Sequence, residues 1–125
     1  MHTLTTAVSI ENLHALHALD LSHNRLSGQI PEGLAASSEL HSIDLGTNRL
    51  EGTLPVHLLR QTSQLSRIDL SRNRLTGPID GFVQEIEDPA RVAVLNLGSN
   101  QLDGEIPSSL ARFQHAKIEL CVIIL

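Results

Sequence analysis

Hydrophobic residues recur along this chain in a long pattern that returns every 24 to 27 residues. Each unit contains two apolar positions separated by one polar residue, as in Leu19-Asp20-Leu21. This alternation predicts a short strand with one buried face. An asparagine follows each strand and a glycine stands four residues beyond it, as at Asn24 and Gly28. Because the period lies between about 20 and 50 residues, the pattern predicts a solenoid of stacked units.

The whole chain is predicted to form one α/β domain of four complete repeats and two partial ones. The complete repeats are 16–39, 40–64, 65–91 and 92–117, and the partial repeats are 1–15 and 118–125, with no capping unit at either end. The extra residues of the third repeat fall within about 87–91, after its strand. This one-sided variation favours a short parallel sheet on the concave face and short helical or 3₁₀ turns on the convex face. Such turns are expected at Ala35-Ala36, Leu58–Arg60 and Leu110–Arg112.

The recurring asparagines and glycines are predicted to be structural. An asparagine amide donates and accepts hydrogen bonds at once, so it can satisfy backbone groups in the tight turn that ends a strand. The glycine is expected where the chain bends close to its neighbour and φ is positive. The predicted turn residues are Asn24, Asn48, Asn73, Asn100, Gly28, Gly52, Gly77 and Gly104.

Charge and cysteine content exclude some classes of partner and cross-link. Lys and Arg number 9 and Asp and Glu number 14, so the net charge is −5. A nucleic-acid-binding protein favours a basic face, and no nucleic-acid partner is predicted. The single cysteine, Cys121, cannot form an intramolecular disulfide. It aligns with a core leucine position, which predicts a buried apolar side chain.

Catalytic and metal-binding motifs are absent from the sequence. No serine stands in a nucleophile motif such as G-x-S-x-G, and no phosphate-binding loop is found. His17 and His41 share one column of the stacked repeats, but a zinc site needs about four convergent ligands. We therefore predict a protein without enzymatic activity, cofactor or metal site.

The repeated pattern L-x-x-L-x-L-x-x-N-x-L-x-G-x-I-P-x-x-L, found over roughly residues 10–125, resembles the plant-type leucine-rich repeat family. The resemblance implies a right-handed horseshoe with parallel strands on its concave face. Members of the family are mostly ectodomains of plant receptor kinases and receptor-like proteins, together with inhibitors of polygalacturonases. They bind peptides, small hormones, co-receptors or enzymes.

The function implied by this resemblance is a non-catalytic scaffold that binds a protein or peptide ligand in recognition, signalling or plant defence. Two alternatives stay open, an enzyme inhibitor of the polygalacturonase-inhibiting type and a truncated product with only a structural or assembly role. The family suggests the cell surface or extracellular space. The sequence as written has neither a secretory signal pattern nor an apolar run of about 20 residues, so a cytosolic chain or a piece of a larger protein is expected. Uncapped ends predict self-association.

Outward positions on the strands form columns, because neighbouring strands lie about 4.8 Å apart. One column contains Asp20, Asp44 and Asp69. These carboxylates either attract a cationic ligand or stay solvated as a common feature of the motif. A second column is interpreted as a solvated rim with weak ion pairs. It consists of Arg25, Arg49, Arg74 and Gln101.

Two further outward columns vary from repeat to repeat, as a specific contact patch requires. They are Ala18, Ser42, Arg67 and Val94, and His23, Thr47, Arg72 and Ser99. His23, Arg67 and Arg72 are the strongest ligand candidates among them. The full predicted ligand-binding set is Asp20, His23, Asp44, Arg67, Asp69 and Arg72.

Overall fold

Two parallel sheets of five strands each organise this molecule. The structure, a computed structural model, describes residues 16–31, 39–55, 64–84, 86, 89–113, 117–119 and 122–123. In chain order the strands alternate between the sheets, so each repeat gives one strand to each. The repeats therefore stack as layers, and the predicted α/β solenoid is confirmed. The predicted partial repeat at 1–15 and Cys121 lie outside the described residues.

The first sheet contains the strands that the hydrophobic alternation predicts. Its central position is apolar in every strand and fully buried in the inner layers, as at Ile43, Ile68 and Leu95. The strands pair in register, so equivalent residues of successive repeats are direct neighbours. The five strands are β1 (Ala18–Asp20), β3 (Ser42–Asp44), β5 (Arg67–Asp69), β7 (Val94–Asn96) and β9 (Lys117–Glu119).

The second sheet was not anticipated from the sequence. It is built from the segment between each asparagine and the glycine that follows it. Of the two inward positions in such a strand, the first is a leucine, such as Leu50 or Leu75, and the second is a glycine. Because only one apolar side chain marks the inward face, the alternation is too short to predict a strand. Its strands are β2 (Ser27–Gln29), β4 (Arg49–Thr53), β6 (Arg74–Pro78), β8 (Gln101–Asp103) and β10 (Val122–Ile123).

Short helical elements follow the second-sheet strands. Within the described residues they are a helix, α1 (Asp80–Gln84), and two 3₁₀ turns, Pro89–Arg91 and Ser108–Arg112. The last of these confirms the turn predicted at 110–112. The turns predicted at 35–36 and 58–60 lie outside the described residues. In α1, Phe82 and Val83 are fully buried, so this helix closes the core on the side away from the first sheet.

The core is a stack of aliphatic side chains with one set per layer. Leu45 and Leu70, which end the first-sheet strands, have no exposed surface. Leu50 and Leu75 of the second sheet are equally buried. Because neighbouring layers bury one another, an aliphatic core needs almost no aromatic residues.

The asparagine side chains tie each turn to the layer before it. Asn73 is buried, and its Nδ2 donates to the carbonyl oxygens of Leu70 and Ser71 in its own turn. The same Nδ2 donates to Leu45 O of the preceding layer, and Oδ1 accepts from Leu50 N–H at 3.0 Å. Asn48 and Asn100 make the same set of bonds. Asn48, Asn73 and Asn100 thus each satisfy backbone groups of two repeats at once.

The four glycines that follow have φ of 84° to 85°, in the left-handed region that suits glycine. Gly52 and Gly77 also lie close to the preceding layer. A Cβ added at Gly77 would lie 3.0 Å from Cγ2 of Thr53. Glycine is therefore required here by both the backbone conformation and the space available.

Candidate functional site

A polar depression of about 360 Å³ opens where the first-sheet strands enter their turns. Its lining comes from all four complete repeats. It includes five of the six predicted ligand residues, and only Asp20 lies outside it. The lining residues are Ser22, His23, Asp44, Gly46, Thr47, Arg67, Asp69, Ser71, Arg72 and Asn96.

The carboxylates in this depression hold the turns that follow them. Oδ1 of Asp44 accepts from Gly46 N–H at 2.9 Å, and Oδ1 of Asp69 accepts from Ser71 N–H at 3.0 Å. The side chains of Asp44 and Asp69 are only 18% and 15% exposed. The interpretation of a solvated carboxylate column is therefore wrong for these two residues, because bonds to the turn hold them against the backbone.

Arg67 lies between the two partly buried carboxylates. Its Nη2 is 3.6 Å from Oδ2 of Asp44 and 3.7 Å from Oδ2 of Asp69. The side chain is 47% exposed, so the guanidinium contacts both aspartates and solvent. The two carboxylates are thus occupied by one cation, and they offer less negative charge to a ligand than the sequence suggests.

Four residues that directly precede the turn asparagines, three of which line the depression, have an unusual backbone conformation that sequence analysis missed. His23, Thr47, Arg72 and Ser99 have φ of 55° to 56°. Residues other than glycine rarely adopt this left-handed region. The turn requires it, because each residue stands directly before a turn asparagine. The only signal in the sequence is that position, and the amino acids found there share no preference for a positive φ.

Asp20, in the first described layer, is more exposed than its counterparts. Its Oδ1 accepts from the Ser22 hydroxyl at 2.6 Å and from Ser22 N–H at 3.0 Å. These two hydrogen bonds, with smaller contributions from the charges of His23 and Arg67, lower the pKa of Asp20 below its ordinary value. Asp20 is therefore a turn residue as well as a member of the predicted ligand set.

Gly46 forms part of the depression because no side chain fits there easily. A Cβ added at Gly46 would lie 3.1 Å from Oδ1 of Asp44 and 3.1 Å from Oδ1 of Asp69. The first and third repeats place Ser22 and Ser71 at this position instead. The absence of a side chain at Gly46 leaves the two aspartates open to the depression.

His17 and His41 stack as the shared column predicts, with ring centroids 5.7 Å apart and planes 15° from parallel. Nε2 of His17 lies 3.3 Å from Oε2 of Glu39. Among the residues that the structure describes, no group of three or more metal-ligating side chains converges. No helix in the same described part of the chain is long and apolar enough to cross a membrane.

Comparison with known families agrees with this layered architecture. The family model for the leucine-rich repeat matches residues 15–36, 64–85 and 91–113, which is just over half of the sequence. This chain belongs to the leucine-rich repeat family. The repeat between the first two matched segments stacks in the same register, although the family model does not match it separately. A comparison with curated protein sequences found no match.

Several solved structures of plant proteins are similar to this leucine-rich repeat chain. The ectodomain of the receptor kinase SOBIR1 from Arabidopsis thaliana matches with 28% identity and a TM-score of 0.76, over 88% of this chain and 57% of that one. A plant ice-binding protein matches with 30% identity and a TM-score of 0.82, over 92% of this chain and 37% of that one. The ectodomain of the Arabidopsis receptor kinase HAESA, in complex with an IDA peptide hormone, matches with 30% identity and a TM-score of 0.79.

The HAESA match covers 93% of this chain and 19% of the receptor ectodomain. The chain thus spans well under two thirds of the length of each of these three proteins. The resemblance to plant-type leucine-rich repeats of receptor ectodomains is confirmed.

Proposed function

We propose that this chain is a non-catalytic, peptide-binding leucine-rich repeat module of the plant receptor type, and that its ligand contacts the depression on the first sheet. The observation that carries this proposal is the convergence of variable residues from different repeats. His23, Thr47, Arg67 and Arg72 come from three repeats and line one depression together with two partly buried aspartates. Receptor ectodomains of the same architecture, such as HAESA, bind peptide hormones.

The size of the first sheet favours a peptide over a whole protein. Five three-residue strands give a surface of about 20 Å by 10 Å, or roughly 200 Å². A typical stable interface between proteins buries about 800 Å² on each partner. This chain alone offers a quarter of that area, which suits a short extended segment. The expected absence of catalysis and the alternative of polygalacturonase inhibition stay predictions.

The depression also suggests how such a peptide is selected. The aspartates are already bonded to the turns and to Arg67, while His23 and Arg72 stand on the rim and are exposed. We infer that His23, Arg72 and the polar groups around them make the first contacts with the ligand. The aspartate and Arg67 cluster forms a rigid floor beneath them.

Selection from a phage-displayed library of random dodecamer peptides tests the proposal. Selected peptides should bind the wild-type chain and lose about tenfold or more in affinity on His23→Gln and Arg72→Gln substitution, since both variants remove a rim contact. Arg112→Gln is the matched control, because Arg112 is exposed on a 3₁₀ turn outside the depression. The proposal fails if selection yields no binder, or if binding is equally strong in the rim variants and the wild type.

A further inference from the structure

The residue two positions after each first-sheet strand alternates between serine and glycine. The column reads Ser22, Gly46, Ser71 and Gly98 in successive repeats. The strands before it pair in register, so Gly46 lies between Ser22 and Ser71 in the stack of layers. These three residues line the depression, and Gly98 is not part of its lining.

The serines of this column complete the hydrogen bonding of the aspartates before them. Oδ1 of Asp69 accepts from Ser71 N–H at 3.0 Å and from the Ser71 hydroxyl at 2.6 Å. The first repeat forms the same pair of bonds. In the second repeat, Oδ1 of Asp44 accepts from Gly46 N–H at 2.9 Å, and no other described residue donates to this oxygen. Asp44 thus has one donor at Oδ1 where the aspartates of the first and third repeats have two, because a glycine has no hydroxyl.

The missing side chain leaves a small opening in the floor of the depression, here called the Gly46 notch. A Cβ added at Gly46 would lie 3.1 Å from Oδ1 of both Asp44 and Asp69, and 3.4 Å from Oγ of Ser71. Gly46 itself is buried, and the side chain of Asp44 is 18% exposed. The notch is therefore narrow, and a ligand group that enters it meets two carboxylate oxygens and a hydroxyl.

The charges around the Gly46 notch favour a neutral donor over a cation. Nη2 of Arg67 already lies 3.6 Å from Oδ2 of Asp44, and Arg72 also lines the depression. The formal charges of these two arginines balance those of Asp44 and Asp69, and a further cation beside Asp44 would be repelled by Arg67. A hydroxyl donates one hydrogen bond without carrying a charge. It is also the group that donates to the equivalent oxygens in the first and third repeats.

We propose that the Gly46 notch binds a serine or threonine hydroxyl of the peptide ligand, which donates a hydrogen bond to Oδ1 of Asp44. This inference rests on the proposed function, since it names the chemistry of one ligand side chain at the same site. The second repeat has no hydroxyl of its own at this position, and the ligand supplies it. A hydrogen bond to a carboxylate is stronger than one to a neutral acceptor, so this contact contributes to specificity.

A double-mutant cycle tests the inference. One probe is a labelled dodecamer peptide selected on the wild-type chain, and the other is the same peptide with each serine or threonine replaced by alanine in turn. One of the alanine peptides should bind the wild-type chain about tenfold more weakly. Gly46→Ser supplies the hydroxyl from the protein itself. This variant should bind the parent peptide about tenfold more weakly and should no longer distinguish it from that alanine peptide.

Gly98→Ser is the matched control for this cycle. A Cβ added at Gly98 would lie 3.3 Å from Oδ1 of Asn96 and would approach neither aspartate, so both peptides should bind this variant as they bind the wild type. Gly46→Ser should fold, because the first and third repeats already contain a serine at this position, and circular dichroism checks this. The alanine peptides require no change in the protein, so they test the inference even if Gly46→Ser does not fold.

The outcomes separate the two proposals. If selected peptides depend on Arg72 but no serine or threonine contributes to binding, or if Gly46→Ser binds them as tightly as the wild type, the inference fails and the proposed function stands. A selected lysine whose contribution is lost in Gly46→Ser would overturn the assignment of a hydroxyl. Equal losses for Gly46→Ser and Gly98→Ser would overturn the assignment to Asp44. If no peptide is selected, both proposals fail.

Discussion

Replacing Asn73 by alanine removes the most deeply buried link between two layers. Asn73 is 8% exposed, and its Oδ1 accepts from Leu50 N–H at 3.0 Å. Leu50 is fully buried, so water cannot replace the lost acceptor. A buried donor left without a partner costs about 1–3 kcal/mol in the free energy of unfolding.

The substitution costs less free energy at the three carbonyl oxygens that Asn73 contacts. Each keeps a second donor after the substitution, so none becomes wholly unsatisfied. The remaining donors are Asn48 Nδ2 to Leu45 O, Asn100 Nδ2 to Leu70 O and Thr47 N–H to Ser71 O. Loss of these second bonds adds about 1 kcal/mol, and we expect a total of about 2–4 kcal/mol for Asn73→Ala.

Asn24→Ala is the matched control for this experiment. Asn24 donates to Leu21 O and Ser22 O in its own turn, and both bonds are exposed. Its substitution should therefore cost less than about 1 kcal/mol. Urea denaturation followed by far-ultraviolet circular dichroism gives both values, a suitable method because the chain has no tryptophan or tyrosine. Equal losses for the two variants would refute the claim that the bonds between layers, and not the turn alone, stabilise the fold.

Four other predictions follow from the turns and the ends of the solenoid. Thr47→Gly should stabilise the fold by about 0.5–1 kcal/mol in the same denaturation assay, because φ of 56° suits glycine and not a β-branched residue. A loss of stability would mean that the Thr47 hydroxyl has an essential contact. Asp44→Ala should lower the free energy of unfolding by about 1–3 kcal/mol, because it removes a turn hydrogen bond and a partly buried ion pair with Arg67. No measurable loss would show that water can replace the carboxylate. The lowered pKa of Asp20 adds stability above the ordinary aspartate pKa of about 3.9, and this contribution is lost as pH falls through the lower folded-state value. Asp20→Asn should therefore flatten the acid side of the stability profile, and an unchanged profile would contradict the shift. Light scattering at tens of micromolar tests the predicted self-association, which a clean monomer would disprove.

Much of the first sheet could be predicted from residue types alone. The positions of Ile43 and Ile68 identify the buried face, because an apolar residue between two polar neighbours can face only one side of a strand. The turn at 110–112 followed from the same repeat. The second sheet escaped prediction because glycine occupies its second inward position, and a glycine has no side chain whose polarity reveals a buried face.

The candidate site, like the fold, could be predicted from the sequence only in part. Five of six predicted ligand residues line one depression, because a repeat period fixes which residues become neighbours. The sequence could not show that Asp44 and Asp69 bond to their own turns. It also could not show that Arg67, and not Arg72, lies between the two aspartates. Those differences depend on side-chain distances of a few ångströms that no periodicity encodes.

The sequence by itself determined the solenoid, the register of its first sheet and the residues that face outward from that sheet, because a repeated pattern imposes the same local geometry on every unit. Only the tertiary structure decided which outward charges are available to a ligand. That availability depends on contacts between neighbouring layers, where the carboxylate of one repeat meets the guanidinium of the next. A charge paired in this way belongs to the fold, whereas the exposed residues His23 and Arg72 beside it are the ones that we propose for recognition.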